Sequence, residues 1–287
     1  MTETDGVHPG RRSPPRPALR AAVLTPPLLA ALALGACSPA DPAPDRTPPP
    51  TTATSPATPT PTPESVRVSA GAVTLEATVP ASAAGDPAVQ VSPARDDGTA
   101  TMTLRPGTLV EETPSGVEPT PGGTPDPPAP LVTLTSPGAF ATHPDGSVTV
   151  LDDGVPVGGL TAPRGARLVA VDDTRLEVRA AGDEPPDEVT TVLGTAGVSG
   201  ADWGEREGGR SLAVTPSDWT REAGQAGVDV AWAELTASDP EVDTATMRDQ
   251  LECHAIGAPD KATWNLEPWR PDVGLLATMA ARCNPTS

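Results

Sequence analysis

The chain has 287 residues, of which 39 are Pro and 27 Gly, while aromatic residues make up only 2%. Its 19 Lys and Arg stand against 38 Asp and Glu, a formal net charge of −19. That balance argues against a nucleic-acid binder, which needs clustered cations for phosphate, and against a polybasic membrane-surface domain.

The N-terminus reads as an export signal. Arg11, Arg12, Arg16 and Arg20 precede an apolar stretch over 21–33, and Leu34-Gly35-Ala36-Cys37 closes it. A cationic start, a short apolar run and small residues before a cut describe a secretory signal, not a membrane span. Pro26-Pro27 interrupts the run, which a stable spanning helix tolerates poorly. Arg11-Arg12 hints at a twin-arginine signal, but the Ser-Pro-Pro-Arg that follows does not fit one. Leu-Gly-Ala-Cys resembles a bacterial lipobox, which implies that Cys37 is lipidated and opens the mature chain. The first expected segment is therefore a signal peptide over 1–37, with the membrane as a partner through lipid on Cys37.

Residues 38–64 follow as a tether. Ten of these 27 residues are Pro and seven are Thr, and Ala is the only apolar side chain. Such a segment cannot bury enough surface to offset its ordering entropy, and Pro biases it towards extended polyproline II.

Residues 65–196 read as a β-rich region. Alternating or β-branched runs fall at 66–79, 99–104, 147–151, 167–171, 175–178 and 188–193. Asp97-Gly98, Asp145-Gly146, Asp153-Gly154 and Asp172-Asp173 punctuate them, and Asp-Gly between short strands is a strong hairpin signal. Residues 147–157 and 167–179 are each expected to form a hairpin, together a small meander. Residues 113–130, rich in Pro and Gly, read as a long loop. The acidic pairs Asp96-Asp97, Asp152-Asp153 and Asp172-Asp173 could be taken for calcium ligands, but no spacing matches an EF-hand loop, and solvated turn aspartates are the expectation.

Residues 197–287 read as a small α+β module. Trp203 and residues 210–215 suggest a hairpin turned at Gly208-Gly209, and Ser217 is placed to cap a short helical turn bearing Trp219. Val228, Trp232 and Leu235 share a helical face that ends before Asp239-Pro240. Thr244 or Asp243 caps a second helix with Met247 and Leu251 as its stripe. Pro271 opens a third, with Leu276, Met279, Ala280 and Cys283 at helical spacing.

Once Cys37 is lipidated, Cys253 and Cys283 remain, and two cysteines in an exported chain favour a disulfide. A redox pair would ordinarily show C-x-x-C, and a zinc site would have only Cys253, His254 and Cys283 to draw on. No metal and no cofactor is expected.

The stretch 247–254 (Met-Arg-Asp-Gln-Leu-Glu-Cys-His), the string Trp264-Asn265-Leu266-Glu267-Pro268-Trp269-Arg270-Pro271 and the terminal Cys283-Asn284-Pro285 carry a resemblance. Together they resemble the actinobacterial domain of unknown function numbered 2599, over about a third of the chain. The resemblance implies an exported, often lipid-anchored envelope protein. It brings no established activity and no catalytic residues.

Read for chemistry alone, the string has two meanings. Its tryptophans could close a small core, with Glu267 paired to Arg270 or capping a helix, and Asn265 fixing a turn. Alternatively Trp264, Asn265, Glu267, Trp269 and Arg270 could line a shallow groove for a sugar or peptide. For an enzyme, His254 and Glu267 are the acid/base candidates and Arg270 the anion stabiliser. A glycosidase would require two placed carboxylates, with Glu252 and Glu267 available, and no G-x-S-x-G nucleophile motif is present. The expectation is a lipid-anchored protein outside the cytoplasmic membrane that binds a wall component or envelope protein. An envelope hydrolase, an exported effector and a purely structural protein are the alternatives.

Overall fold

The computed structural model describes residues 63–79, 89–105, 130–182 and 186–286, all within one compact unit, Ala57–Ser287. Cys37 with its lipobox, residues 38–62 of the tether and residues 113–129 of the long loop lie outside the described residues.

Among the described residues, eleven antiparallel strands build the first part. One sheet has the order β1-β2-β5-β10-β9, from β1 (Glu64–Ala70), β2 (Val73–Val79), β5 (Val132–Thr135), β10 (Arg175–Ala180) and β9 (Ala166–Asp172). The other has the order β3-β4-β11-β8-β7-β6, from β3 (Val89–Val91), β4 (Thr99–Leu104), β11 (Val189–Gly194), β8 (Val155–Leu160), β7 (Val148–Asp152) and β6 (Ala139–Thr142). Alternation drives the packing. Leu75, Ala77, Leu134, Leu176 and Val178 of the first sheet share one buried core with Met102, Leu104, Val150, Leu160 and Leu193 of the second.

The two expected hairpins form, but not as a meander. β7–β8 turns at Asp153 and Gly154, both with positive φ, as the tight turn matched to strand twist requires. β9–β10 turns at Asp173-Thr174. The chain changes sheets between them at residues 161–165, so β8 pairs with β11 and β10 with β5. The run 66–79 also divides. Gly71, at φ 50°, turns the chain so that Ala70 pairs with Val73, and the buried positions shift from even (Val68, Ala70) to odd (Val73, Leu75, Ala77, Val79) across the turn. The turn aspartates accept hydrogen bonds two residues on. Asp97 takes Thr99, Asp145 takes Ser147 and Asp172 takes Thr174, each through backbone N–H and hydroxyl.

The second part begins with β12 (Val198–Arg206) and β13 (Gly209–Pro216), joined at Glu207-Gly208, one residue earlier than expected. β14 (Trp264–Leu266) completes a three-stranded sheet in the order β12-β13-β14. Ser217 caps α1 (Asp218–Glu222) by accepting from the Thr220 N–H, and Thr244 caps α3 (Ala245–Gly257) by accepting from the Met247 N–H. Between them runs α2 (Gly224–Ser238), followed by one 3-10 turn, Pro240–Val242. Leu212, Val214, Val228, Leu235, Met247, Leu251, Trp264 and Leu266 are buried together as the core of this part.

The third helix departs from expectation. α4 (Leu275–Ala280) starts four residues beyond Pro271, after Gly274 at φ 78°. Leu276 is 84% exposed and Thr278 is the buried residue, so the apolar stripe is not what seats the helix. After α4 the chain passes through positive φ at Arg282 and Cys283, which brings Cys283 back to Cys253. Their sulfurs are bonded at 2.05 Å. Among the described residues, no helix is long and apolar enough to cross a membrane.

The two parts meet along a polar seam. Ala223 has no capping side chain for α2, so the β6–β7 turn supplies the acceptors. Asp145 takes the Gln225 N–H at 2.7 Å and Ser147 Oγ takes the Ala226 N–H at 3.2 Å. Deeper in, Asp229 of α2 accepts from Thr149 at 3.0 Å and Arg248 at 2.8 Å, with His143 Nε2 3.3 Å away. Trp219 lies flat on Gly194, where a Cβ would come within 2.2 Å of the ring.

Candidate functional site

The string 264–271 follows the core it helps to close. β14 pairs with β13 (Leu212↔Leu266, Ala213↔Asn265, Val214↔Trp264), so period-two alternation sends Trp264 and Leu266 inward. Trp264 is fully buried. Next to it, the side-chain amide of Gln250 brackets the backbone of Glu267. Gln250 Oε1 accepts from the Glu267 N–H and Gln250 Nε2 donates to the Glu267 carbonyl, both at 3.0 Å.

Glu267 and Arg270 are themselves buried and paired. Arg270 Nε donates to the Glu267 carboxylate, Nη2 donates to Glu207 at 2.7 Å and Nη1 to the Pro285 carbonyl at 3.3 Å. Burial opposes the guanidinium charge, but the hydrogen bonds and charges of Glu267 and Glu207 outweigh it and raise the Arg270 pKa. One cation thus ties the segment after β14, the β12–β13 turn and the C-terminal segment together.

The acid/base candidates do not converge. His254 is buried on α3, with Nε2 3.1 Å from the Asn265 carbonyl, while Glu267 is engaged by Arg270. Burial pushes the His254 pKa down to about 4, with the charge of Lys261 adding to it and the Asn265 carbonyl opposing it. The ring is therefore neutral near pH 7, donating through Nε2, and its enclosed Nδ1 has no hydrogen-bond partner among the described residues. Glu252 is held by Arg248 at 2.7 Å, on α3.

Of the five residues expected to line a groove, Trp264, Glu267 and Arg270 are buried and Asn265 is half-buried with its Oδ1 enclosed. Only Trp269 stands open, at 45% exposure. Its indole rests on Gly209, where a Cβ would come within 2.2 Å of Nε1, and the Arg270 guanidinium lies 4.5 Å from its ring centre. The composite groove is thus not formed. Exposed Val273 (42%) and Leu276 (84%) share the segment with Trp269. Val273 carries no periodic signal, and Leu276 reads from sequence as a core residue.

Residues 198–286 match the family described as protein of unknown function, DUF2599. An uncharacterized protein of Mycobacterium tuberculosis is 47% identical over 95 residues, 30% of this chain and 62% of the relative, and one of Mycobacterium bovis matches to the same extent. An uncharacterized protein of Mycobacterium leprae is 41% identical over 61 residues, 20% of this chain and 50% of the relative. The chain therefore spans less than two thirds of the length of each. No solved structure matches it. The matched segment begins with β12 and contains the disulfide, the ion pair and Trp269.

Proposed function

We propose that the chain is an exported, lipid-anchored envelope protein whose C-terminal domain is a binding module, with Trp269, Val273 and Leu276 as its contact surface. The observation that carries this is the exposure of three large apolar side chains within eight residues on a segment pinned at both ends. The buried Glu267–Arg270 pair holds one end and the Cys253–Cys283 bridge the other. A rigid apolar surface loses little freedom on binding, and exposed Trp is a frequent energetic anchor of interfaces. The bridge supports export, because disulfides persist in oxidising compartments. Lipid on Cys37 would hold the domain at the outer face of the membrane, where its partner is a wall component or an envelope protein. A hydrolase built on His254 and Glu267 draws less support, since both groups are buried and bonded elsewhere.

The test immobilises the oxidised chain and exposes it to solubilised envelope and to fragmented wall, comparing wild type with Leu276→Ser and Trp269→Ala. Leu276 touches so little that its substitution leaves folding intact. Retention of one protein or polymer by the wild type, lost with Leu276→Ser, is the expected result. Equal retention by the variant, or none by the wild type, overturns the reading. Cys37→Ala should move the protein out of the membrane fraction, and unchanged membrane association would count against the anchor.

A further inference from the structure

A cleft of about 320 Å³ lies along the seam, remote in sequence from 269–276. Its walls come from the β6–β7 turn (Pro144, Asp145), from α1 and the start of α2 (Arg221, Gln225) and from α3 (Glu252, Ile256), so neither part of the chain makes it alone. Val228 and Ala255 add to Pro144 and Ile256 as apolar lining. Ile256 is the one isoleucine in the chain, and it is 61% exposed here. A β-branched aliphatic side chain left open beside a concavity is unlike the scattered exposed apolar residues of an ordinary surface.

The polar groups of the cleft are mostly acceptors. Arg221 is the only cation among the described residues that line it, and it is already donating to the carbonyls of Pro259, Lys261 (2.8 Å) and Ala262 (3.3 Å). Thr220 gives its hydroxyl proton to the Gly197 carbonyl at 2.7 Å, and Gln225 gives its side-chain N–H to Asp229 at 3.0 Å. The lining also holds two carboxylates, Asp145 and Glu252. Glu252 takes Arg248 on Oε1, and its Oε2 has no donor among the described residues. Burial works against the charge of Asp145, but hydrogen bonds from Ser147 and the Gln225 N–H more than offset it and hold the carboxyl below the usual range. An apolar lining between two carboxylates complements one chemical shape, an aliphatic stem ending in a cationic donor.

We propose that this cleft docks a lysine or arginine side chain presented by a partner protein, its stem against Val228, Ala255 and Ile256 and its charged head between Asp145 and Glu252. The cleft volume sits at the small end of ligand sites, which suits one side chain rather than a cofactor. A chain of net charge −19 draws a basic partner towards it over several ångströms before contact. The proposal goes beyond the surface at 269–276 and does not rest on it, since the residues involved are on different elements.

The single isoleucine makes the test direct. Full chain carrying a 13C label on the Ile256 δ-methyl gives one resonance at the cleft. It is titrated with a short lysine-bearing peptide, with the same peptide acetylated on Nζ, and with n-butylammonium alone. A saturable shift with the lysine peptide is expected, at least tenfold weaker for the acetylated one and weaker in 0.5 M salt. Glu252→Gln and Asp145→Asn should each weaken it threefold or more while unfolding cooperatively. Two variants are used because Asp145 also caps α2. Equal shifts with the acetylated peptide, or none with either, would overturn the proposal. Saturation by n-butylammonium but not by the peptide would assign the cleft to a free amine and equally overturn docking of a protein side chain.

Discussion

If Arg270 is the cation that ties the C-terminal domain together, removing its buried partner should be far worse than removing its exposed one. Glu267→Ala leaves a buried guanidinium with only Glu207, whose side chain is 67% exposed, and the Pro285 carbonyl. Breaking a buried pair from one side costs about 3–5 kcal/mol, because the remaining charge stays desolvated. Glu267→Gln keeps an acceptor in place and loses only the charge assistance, about 1 kcal/mol. Glu207→Ala removes a solvent-screened partner and should cost no more than about 1 kcal/mol. With a urea m-value of roughly 2 kcal/mol/M, Glu267→Ala lowers the unfolding midpoint by about 2 M and Glu267→Gln by about 0.5 M. Tryptophan fluorescence reports the transition, since buried Trp264 adjoins the pair along the chain. A Glu267→Ala midpoint no lower than that of Glu207→Ala would refute the reasoning, and would return Glu267 and Arg270 to the solvent-facing groove.

Closing 30 residues of separation by the Cys253–Cys283 bridge restricts the unfolded chain by about 3–4 kcal/mol in the loop-entropy treatment, so Cys253→Ser with Cys283→Ser should lower the calorimetric Tm by about 10 °C. An unchanged Tm would mean that the bridge is energetically idle. His254 contributes a pH dependence whose sign follows from burial. Its folded pKa of about 4 lies below the unfolded value of about 6.5, so on acidification the unfolded chain takes up a proton that the folded one refuses. Stability attributable to this residue is intact above about pH 6.5 and falls as the pH approaches 4, by on the order of 3 kcal/mol. His254→Gln should flatten that slope in urea titrations at successive pH values, and an unaltered slope would sink the assignment. Gly209→Ala should push the Trp269 indole off its seat, because a Cβ there would come within 2.2 Å of the ring. The expected result is altered tryptophan emission and weakened partner binding with less than about 1 kcal/mol lost in unfolding, and unchanged emission would show that the indole does not rest there.

Features legible in the sequence were those fixed within a few residues of chain. Asp153-Gly154 specifies its hairpin because two consecutive residues must adopt positive φ. Ser217 and Thr244 mark helix starts because their hydroxyls reach N–H groups three residues on. The cysteine pairing followed from there being two candidates, and the Trp264–Pro271 string was distinctive enough to point to its family segment. Tertiary structure decided everything that depends on distant partners. The apolar phase of 66–79 slips by one residue at Gly71-Ala72, but a bulge within one long strand would give the same slip, so the pattern alone did not specify a reversal of the chain. The short strands β3, β5 and β6 carry too few residues for a periodic signal, and which sheet a hairpin joins depends on strands far along the chain. Nor could composition separate Trp264, sealed in the core, from Trp269, open to solvent, five residues apart. That difference arises because β14 is clamped to β13 and the backbone of Glu267 just after it to Gln250, while Trp269 lies further on, against a glycine of the neighbouring hairpin. Whether Glu267 and Arg270 met a ligand or each other was likewise settled by burial, a property of the assembled domain and not of the string that contains them.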